Sequence, residues 1–299
     1  MTDKYSVRDA LRSLGVENGD ILLFHSSLKS FGYIEGGADA VIDGALLAVG
    51  SEGTLVAPTL VQRDFQNAYQ RWNRETTPSD VGKITEVFRL RKDARRSDQA
   101  THSVAAIGRL ADTLTEGHTA FGPRHSIYGN YAFAESSPWQ KMYDLGGKVV
   151  FIGATIESNT YRHFIEARTI ERVLGAVGDE EKKRALLSRL AGFDDRPEYF
   201  REAAEQEKSR TPMRLAFPYL RGDDAFREVL AAAGLERDTL CGESHFMLFP
   251  IRDMVDEIER RVLKDPSAWF LSSDGIAWIT DAIEAGKHSP SASDAVPAR

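Results

Sequence analysis

Cysteine is almost absent from the sequence, since Cys241 is the only one among 299 residues. A single cysteine excludes an intramolecular disulfide, which fits a reducing compartment. We interpret Cys241 as a small packed hydrophobic residue rather than an acyl-carrying nucleophile. No apolar run is long enough to span a bilayer, and the amino-terminal segment lacks the apolar region of a secretion signal. These absences predict a soluble, cytoplasmic protein that does not bind membranes.

Several catalytic motifs are missing as well. There is no His-Glu-x-x-His, and the histidines do not cluster at the spacing of metal ligands, so we expect no metal. There is also no Gly-x-Ser-x-Gly elbow, Walker loop or Rossmann glycine fingerprint after the first predicted strand. The Arg/Gln-x-x-Gly-x-Gly/Ala loop of the common N-acetyltransferase superfamily is absent too. The chemistry must therefore be sought in other segments.

Basic residues are outnumbered by acidic ones, 38 Lys and Arg against 45 Asp and Glu, for a formal net charge of -7. Nucleic acids and anionic membranes attract basic surfaces, so this balance argues against both as partners. We find no clear linker, and we therefore expect residues 1–286 to form a single domain. Residues 287–299 are rich in Ser, Ala and Pro and are predicted to be a disordered tail.

Short apolar runs alternate with helical patterns and predict an α/β architecture with a layered sheet. The predicted strands are 21–24, 54–57, 103–107 and 149–152. A helix is predicted over 160–173, and the second half of the chain is predicted to be mostly helical. The helices expected there are 180–191, 197–208, 223–234 and 251–264.

A loop rich in small polar residues follows the first predicted strand, from His25 to Gly37. It leaves a buried strand and enters a helix, so it brings together hydroxyls, backbone N–H groups and a helix N-terminus. That environment suits a phosphate or an amide-rich chain, and coenzyme A carries both. A plain strand-to-helix turn explains the local pattern equally well.

The segment from Thr101 to Gly108 enters a strand through small residues. Ala105, Ala106 and Gly108 would let a ligand or another backbone approach closely. A tightly packed central strand is the alternative interpretation.

His163 lies in the first turn of the helix predicted over 160–173, where Asn159 or Thr160 can act as the cap. Glu166 follows three residues later, so both side chains can share one helix face. A carboxylate beside an imidazole fixes its tautomer and stabilises its protonated form, as a general base requires. An exposed His–Glu pair on a helix surface is the alternative.

Taken in order, these segments resemble the aminoglycoside 3-N-acetyltransferases, also called the antibiotic N-acetyltransferase family. The stretches that carry the resemblance are 25–32 with 36–38, 53–59, 96–97 with 101–108, and 146–153 with Asn159, Thr160, His163 and Glu166. The resemblance implies a layered α/β/α fold distinct from the common N-acetyltransferase superfamily. It further implies acetyl-CoA as donor and an amine as acceptor.

The resemblance also implies roles for individual positions. His163 is carried over as the catalytic base and Glu166 as its carboxylate, in a direct transfer. Hydroxyls and N–H groups near Ser103 or Thr59 are expected to stabilise the oxyanion. The positions expected to bind coenzyme A are His25, Ser26, Ser27, Leu28, Lys29, Ser30, Phe31, Thr59, Thr101, His102, Ser103 and Val104.

The acceptor is expected to be an aminoglycoside or a related amino sugar. The candidate acceptor-binding residues, which mix carboxylates with aromatic rings, are Asp64, Tyr69, Trp72, Glu75 and Glu243. The sequence departs from the family at Asp98-Gln99, where many members have His-Pro, and at Arg162, where many have leucine. These departures bear on the acceptor more than on the reaction class.

Three alternatives remain open at this point: an acyltransferase that acts on another small amine in a biosynthetic pathway, a hydrolase built on His163 and a serine, and a non-catalytic amine-binding relative. The sequence leaves a homodimer open.

The loop hypothesis predicts that bulk at Ser27 obstructs coenzyme A. Ser27→Phe is expected to raise the KM for acetyl-CoA before it affects the KM for the acceptor, because the added ring occupies the donor channel. Steady-state kinetics with each substrate varied in turn measures both constants, and Ser27→Ala is the matched control. Coenzyme A bound elsewhere in a crystal structure would contradict the hypothesis.

Overall fold

Seven strands form one mixed sheet in the computed structural model, which describes residues 1–63, 65–190 and 217–287. In chain order they are β1 Ile21–Ser26, β2 Thr54–Pro58, β3 Arg95–Arg96, β4 Val104–Gly108, β5 Lys148–Ile152, β6 Arg237–Cys241 and β7 Ser244–Pro250. Their order across the sheet is β3-β4-β2-β1-β5-β7-β6. The central strands β2, β1 and β5 run parallel, whereas β4 and β7 pair antiparallel on either side.

Helices cover both faces of this sheet. They are α1 Lys4–Ser13, α2 Gly37–Val49, α3 Phe65–Arg71, α4 Lys83–Arg89, α5 Ala111–Thr115, α6 Pro138–Asp144, α7 Tyr161–Ala176, α8 Glu180–Leu187, α9 Asp224–Ala232, α10 Ile251–Lys264, α11 Pro266–Trp269 and α12 Ser273–Lys287. Short 3₁₀ helices span Leu28–Phe31 and Ile156–Ser158.

The alternation of side chains along each strand divides the core into two layers. Leu22 and Phe24 of β1 pack with α1, α2 and α4 on one face. Leu23, together with Val149 and Phe151 of β5, packs with α7, α10 and α12 on the other. Because β1 and β5 are buried on both faces, they appear in the sequence as continuous apolar runs. The predicted layered α/β/α fold is confirmed.

The four predicted strands are present, with bounds that differ by one or two residues. The prediction of a mostly helical second half was incomplete, because the hairpin of β6 and β7 extends the sheet beyond β5. Strand β6 is largely exposed and polar, and β7 directly precedes a helix, so neither gave an isolated strand pattern. The predicted helix 197–208 lies outside the described residues. Lys287 ends α12, and the rest of the predicted tail, 288–299, also lies outside them.

Among the described residues, no helix combines the length and apolar character needed to cross a membrane.

Trp139 of α6 connects the segment that precedes β4 with the start of α7. It is fully buried, and its indole Nε1 donates to the carbonyl oxygen of His102 at 3.0 Å. Its own carbonyl accepts from the Tyr161 hydroxyl at 3.0 Å. The side chain and the backbone of one residue thereby fix the segment before β4 relative to the start of α7.

Trp139→Phe is therefore expected to lower the free energy of unfolding by about 1–3 kcal/mol, because it leaves the buried His102 carbonyl without its donor. Urea unfolding with an unchanged m-value measures the loss. The control is Tyr33→Phe, on a side chain that is 71% exposed. Equal stability of the two variants would contradict a structural role for the indole N–H.

Candidate active site

A cavity of about 450 Å³ opens where the parallel strands end. The carboxyl ends of β1, β2 and β5 meet at one edge of the sheet, and antiparallel β4 begins at that same edge opposite Pro58. Ligands of open α/β sheets bind at this edge, beside the strand where the connection changes direction. The lining residues are His25, Ser26, Pro58, Leu60, Val61, Gln62, Val81, Thr85, His102, Tyr128, Ala154, Glu157, Ser158, Asn159, Thr160, Arg162, His163 and Tyr219.

Helix α7 delivers His163 to this cavity. The chain leaves β5, turns through Ile156–Ser158 and enters α7 at Tyr161. Asn159 acts as the cap, since its side-chain oxygen accepts from the Tyr161 N–H at 3.1 Å, whereas the Thr160 side chain makes no capping bond. His163 consequently lies in the first turn, at the floor of the cavity.

Glu166 orients the His163 ring. Nδ1 of His163 lies 2.9 Å from Oε2 of Glu166, and the exposed fractions of the two side chains are 7% and 2%. The other carboxylate oxygen accepts from the Leu220 N–H at 2.7 Å. Since a carboxylate can only accept, Nδ1 carries the hydrogen and Nε2 presents a lone pair to the cavity. The pair is therefore buried and directional, unlike an exposed ion pair on a helix surface.

Two polar groups contact Nε2 of His163, and a third contacts both of them. The Tyr128 hydroxyl lies 3.4 Å away and the Nη2 atom of Arg162 lies 3.5 Å away. The Tyr219 hydroxyl contacts that of Tyr128 at 3.2 Å. Burial raises the pKa of Tyr128 well above its ordinary value, so this phenol keeps its proton at neutral pH.

Several buried polar atoms at the cavity wall have no protein partner. They are His25 Nε2, Ser26 Oγ, His102 Nε2 and Arg162 Nε. Burial lowers the pKa of His25 to about 3 and the pKa of His102 well below its ordinary value. Both rings are therefore neutral at physiological pH. Buried polar groups are normally satisfied, so these atoms indicate a surface built to bind a polar ligand.

The structure places only part of the predicted coenzyme A loop at the cavity. His25 and Ser26 line the cavity at the end of β1. Ser30 donates to the Ser27 carbonyl at 2.7 Å and contacts the Ser244 hydroxyl, so its hydroxyl shapes the loop. Phe31 is buried against Phe246 in the core. Leu28 and Lys29 complete the short helix, outside the cavity lining.

Of the second predicted segment, only His102 lines the cavity. Thr59 and Ser103 are fully buried, share a 2.9 Å hydrogen bond between their hydroxyls and both contact Nε of Arg96 at 3.2 Å. Thr101 is likewise buried, and Val104 lies in the core. Both hydroxyls are engaged with each other and with Arg96, and neither residue lines the cavity.

The predicted acceptor-binding residues do not converge on the cavity. Tyr69 is buried and accepts from the Gln99 side-chain amide at 2.9 Å. Trp72 donates its indole N–H to Asp98 at 2.7 Å, and the guanidinium of Arg96 lies over its ring. Glu75 pairs with Arg74 at 3.0 Å. Glu243 packs against Gly32. Asp64 lies outside the described residues. The described side chains of this set thus contact other residues outside the cavity lining.

Sequence reasoning missed Tyr128 and Tyr219 altogether. Tyr128 lies in an irregular segment with no periodicity, and Tyr219 is separated from His163 by 56 positions. Neither position carried a motif, so only the fold places the two tyrosines beside His163.

Cys241 ends β6 within the core on the α1 side of the sheet, and burial raises the pKa of its thiol to about 11. This position is away from the cavity lining. In the part of the chain that the structure describes, no three His, Cys, Asp or Glu side chains are grouped as a metal site.

Comparison with known proteins identifies a family. The sequence profile of the aminoglycoside 3-N-acetyltransferases matches residues 23–262. The chain is 33% identical over 183 residues to aminoglycoside N(3)-acetyltransferase III of Salmonella sp, covering 56% of this chain and 61% of the relative. The chain thus spans about three fifths of the length of these type III relatives.

Two further comparisons cover most of the chain. It is 29% identical to the SPbeta prophage-derived aminoglycoside N(3')-acetyltransferase-like protein YokD of Bacillus subtilis (strain 168), over 91% of this chain and 93% of that protein. The structure of AAC-IIIb, described as binary with CoASH, superposes with a TM-score of 0.63 at 19% identity, covering 88% of this chain and 96% of the other. The latter comparison supports the fold.

The neutral histidines of the wall predict an acid-sensitive fold. Folded His25 stays neutral down to about pH 3, whereas the unfolded chain takes up the proton near pH 6.5. The unfolded state binds more protons in that window, so the free energy of unfolding falls as the pH falls. His25→Leu is expected to make this fall shallower by up to about 1.4 kcal/mol per pH unit.

Urea unfolding across that pH window provides the measurement. Phe24→Leu, at the buried neighbour of His25 in β1, alters packing without removing a titrating group, so this control is expected to retain the wild-type slope. An unchanged slope in His25→Leu would show that His25 is not held neutral by burial.

Proposed function

The chain belongs to the aminoglycoside 3-N-acetyltransferase family, and on that premise we propose that it transfers an acetyl group from acetyl-CoA to an amine of an amino sugar, with His163 as general base. One observation carries the proposal: Nδ1 of His163 is held by the buried Glu166 while Nε2 faces a cavity at the carboxyl edge of the sheet. Aminoglycosides are the acceptor class that the relatives' names give.

The geometry supports direct transfer by acid–base catalysis. Nε2 of His163 accepts a proton as the amine nitrogen forms a bond to the thioester carbonyl carbon. Glu166 balances the positive charge that the ring then carries. When the carbon–sulfur bond breaks, the ring returns the proton to the sulfur, so the products are an amide and free coenzyme A. Neither step needs an enzyme nucleophile.

The oxyanion requires hydrogen-bond donors within the cavity. The Tyr128 hydroxyl, at 3.4 Å from Nε2 of His163, is the protonated donor nearest the reacting atoms. We assign the oxyanion to this side of the ring, in place of Ser103 and Thr59. Tyr128 would then stabilise the negative charge that develops on the carbonyl oxygen, while the imidazole of His163 takes the proton from the amine.

The wall on the His25 side suits the donor. An extended pantetheine arm carries amide N–H and carbonyl groups that need partners along an apolar channel. Ser26 Oγ and His25 Nε2 are buried and lack protein partners. Both lie at the end of β1, where the loop from Ser27 to Gly37 begins, so the arm is expected to enter past this loop.

A hydrolase is the second candidate that the sequence left open. It requires a serine hydroxyl hydrogen-bonded to His163. In the described part of the chain, the ring nitrogens of His163 contact Glu166, Tyr128 and Arg162, and no serine. The geometry therefore favours transfer to an amine.

His163→Ala is expected to lower kcat roughly 10²–10⁴-fold while coenzyme A still binds, because the variant removes the proton acceptor and leaves the β1 wall intact. Thiol release with acetyl-CoA and an amino sugar measures kcat, product mass confirms amide formation, and calorimetry measures coenzyme A binding.

Two further variants sharpen this test. Glu166→Gln keeps the shape and loses the charge, so it is expected to cost less than His163→Ala. His245→Ala, on a histidine remote from the cavity lining, is the matched control. A near-normal kcat in His163→Ala would leave His163 with a structural role and sink the proposal.

A further inference from the structure

Arg162 places a positive charge directly beside the proposed base. It precedes His163 in α7, and its Nη2 atom lies 3.5 Å from Nε2 of His163 and 3.5 Å from the Tyr219 hydroxyl. Its guanidinium lies over the Tyr219 ring, 5.3 Å from the centroid. An amine that reaches His163 must therefore pass within contact distance of this group.

The guanidinium is held in place but is not neutralised. Within the described residues, Arg162 contacts His163 and Tyr219 and forms no ion pair with a carboxylate. Its Nε atom is buried without a partner. Gly222 packs against the same side chain so closely that an added Cβ would overlap it. A positioned arginine with open donors is the arrangement that proteins use to bind carboxylates.

In the part of the chain that the structure describes, the carboxylates nearest in sequence or space to this charge have other hydrogen-bond partners. Both oxygens of Glu166 are taken by His163 and by the Leu220 N–H. Asp80 accepts from two backbone N–H groups near Gln62, and Asp98 accepts from Trp72. Glu157 is the one carboxylate among the described lining residues, and its side chain is exposed. Among the described residues, the charge that faces the reacting amine is consequently positive.

We propose that the acceptor is an amine that carries a carboxylate a few bonds from its nitrogen, and that Arg162 binds this carboxylate and so determines acceptor specificity. The proposal rests on the acetyltransferase function proposed above and narrows its acceptor from amino sugars in general to acidic amino sugars. A polycationic acceptor would instead bring further positive charge against an unpaired guanidinium.

Binding of coenzyme A does not explain the positive charge of Arg162. The phosphates of coenzyme A lie at the far end of the pantetheine arm from the thioester, whereas Arg162 contacts the residue that takes the proton. Arg162 also lies in the first turn of the 16-residue helix α7, whose N-terminus favours an anion at the same place. Side chain and helix dipole therefore select the same charge on the acceptor.

The test compares two amino sugars that differ by one group. Muramic acid carries a lactyl carboxylate on the carbon next to its amine-bearing carbon, and glucosamine carries a hydroxyl there. Wild-type kcat/KM is expected to favour muramic acid by about tenfold or more, since a charge-assisted hydrogen bond contributes at that level. Arg162→Leu is expected to bring the ratio close to one, mainly through a higher KM for muramic acid.

Three variants act as controls. Gly222→Ala keeps the charge of Arg162 but displaces it, and it is expected to lower the ratio as well. Arg162→Lys is expected to retain part of the preference. Arg109→Leu removes an exposed arginine paired with Glu52 and is expected to keep the wild-type ratio. Thermal unfolding of each variant separates loss of specificity from loss of fold.

Two results would overturn the proposal. A wild-type preference for glucosamine or for kanamycin over muramic acid contradicts an anionic acceptor. A fall in kcat for both sugars at an unchanged ratio in Arg162→Leu would place the guanidinium at the oxyanion instead.

A binding measurement separates this proposal from the acetyltransferase function. Calorimetry of N-acetylmuramic acid and N-acetylglucosamine, with coenzyme A present, requires no turnover. Tighter binding of the acidic sugar by wild type and not by Arg162→Leu supports the carboxylate site even if no amine is acetylated. Equal binding of both sugars contradicts it.

Discussion

The site depends on the hydrogen bonds that one buried carboxylate accepts. Glu166 is 2% exposed, and it is retained in the interior because both of its oxygens accept hydrogen bonds, one from His163 and one from the Leu220 backbone. Burial of a carboxylate without such partners would be costly. The Leu220 bond brings the segment around Tyr219 against α7, and Leu220 also pairs with Phe270. One side chain thus orients the imidazole and holds the opposite wall of the cavity.

The two substrates would meet on walls of different origin. The proposed donor side is the end of β1, which is paired with β2 on one side and β5 on the other. The proposed acceptor side consists of α7 and the segment around Tyr219, which are joined through Glu166. Because the first wall follows from strand pairing and the second from a few side-chain contacts, the acceptor can change among relatives while the reaction is kept.

The four basic side chains at the cavity differ in charge and therefore in the roles that they can take. Burial keeps His25 and His102 neutral, so they can bind polar groups of a ligand without adding charge. His163 is backed by a carboxylate and can carry a transient charge. Arg162 carries a permanent charge that the described residues do not neutralise. A cavity with this distribution suits an uncharged amide chain on one side and an anion on the other.

The sequence by itself determined the apolar runs of the buried strands, the helix that carries His163, and the pairing with Glu166 three residues later, because each depends on local spacing. It also carried the family resemblance. The hairpin of β6 and β7 was missed, since an exposed edge strand has no strong pattern. The surroundings of Nε2 were decided by tertiary structure alone: Tyr128 and Tyr219 lie 35 and 56 positions from His163 and reach it through packing of separate elements. The same packing engaged Thr59, Ser103 and Trp72 with other residues, because buried polar groups take the nearest partner that the fold provides.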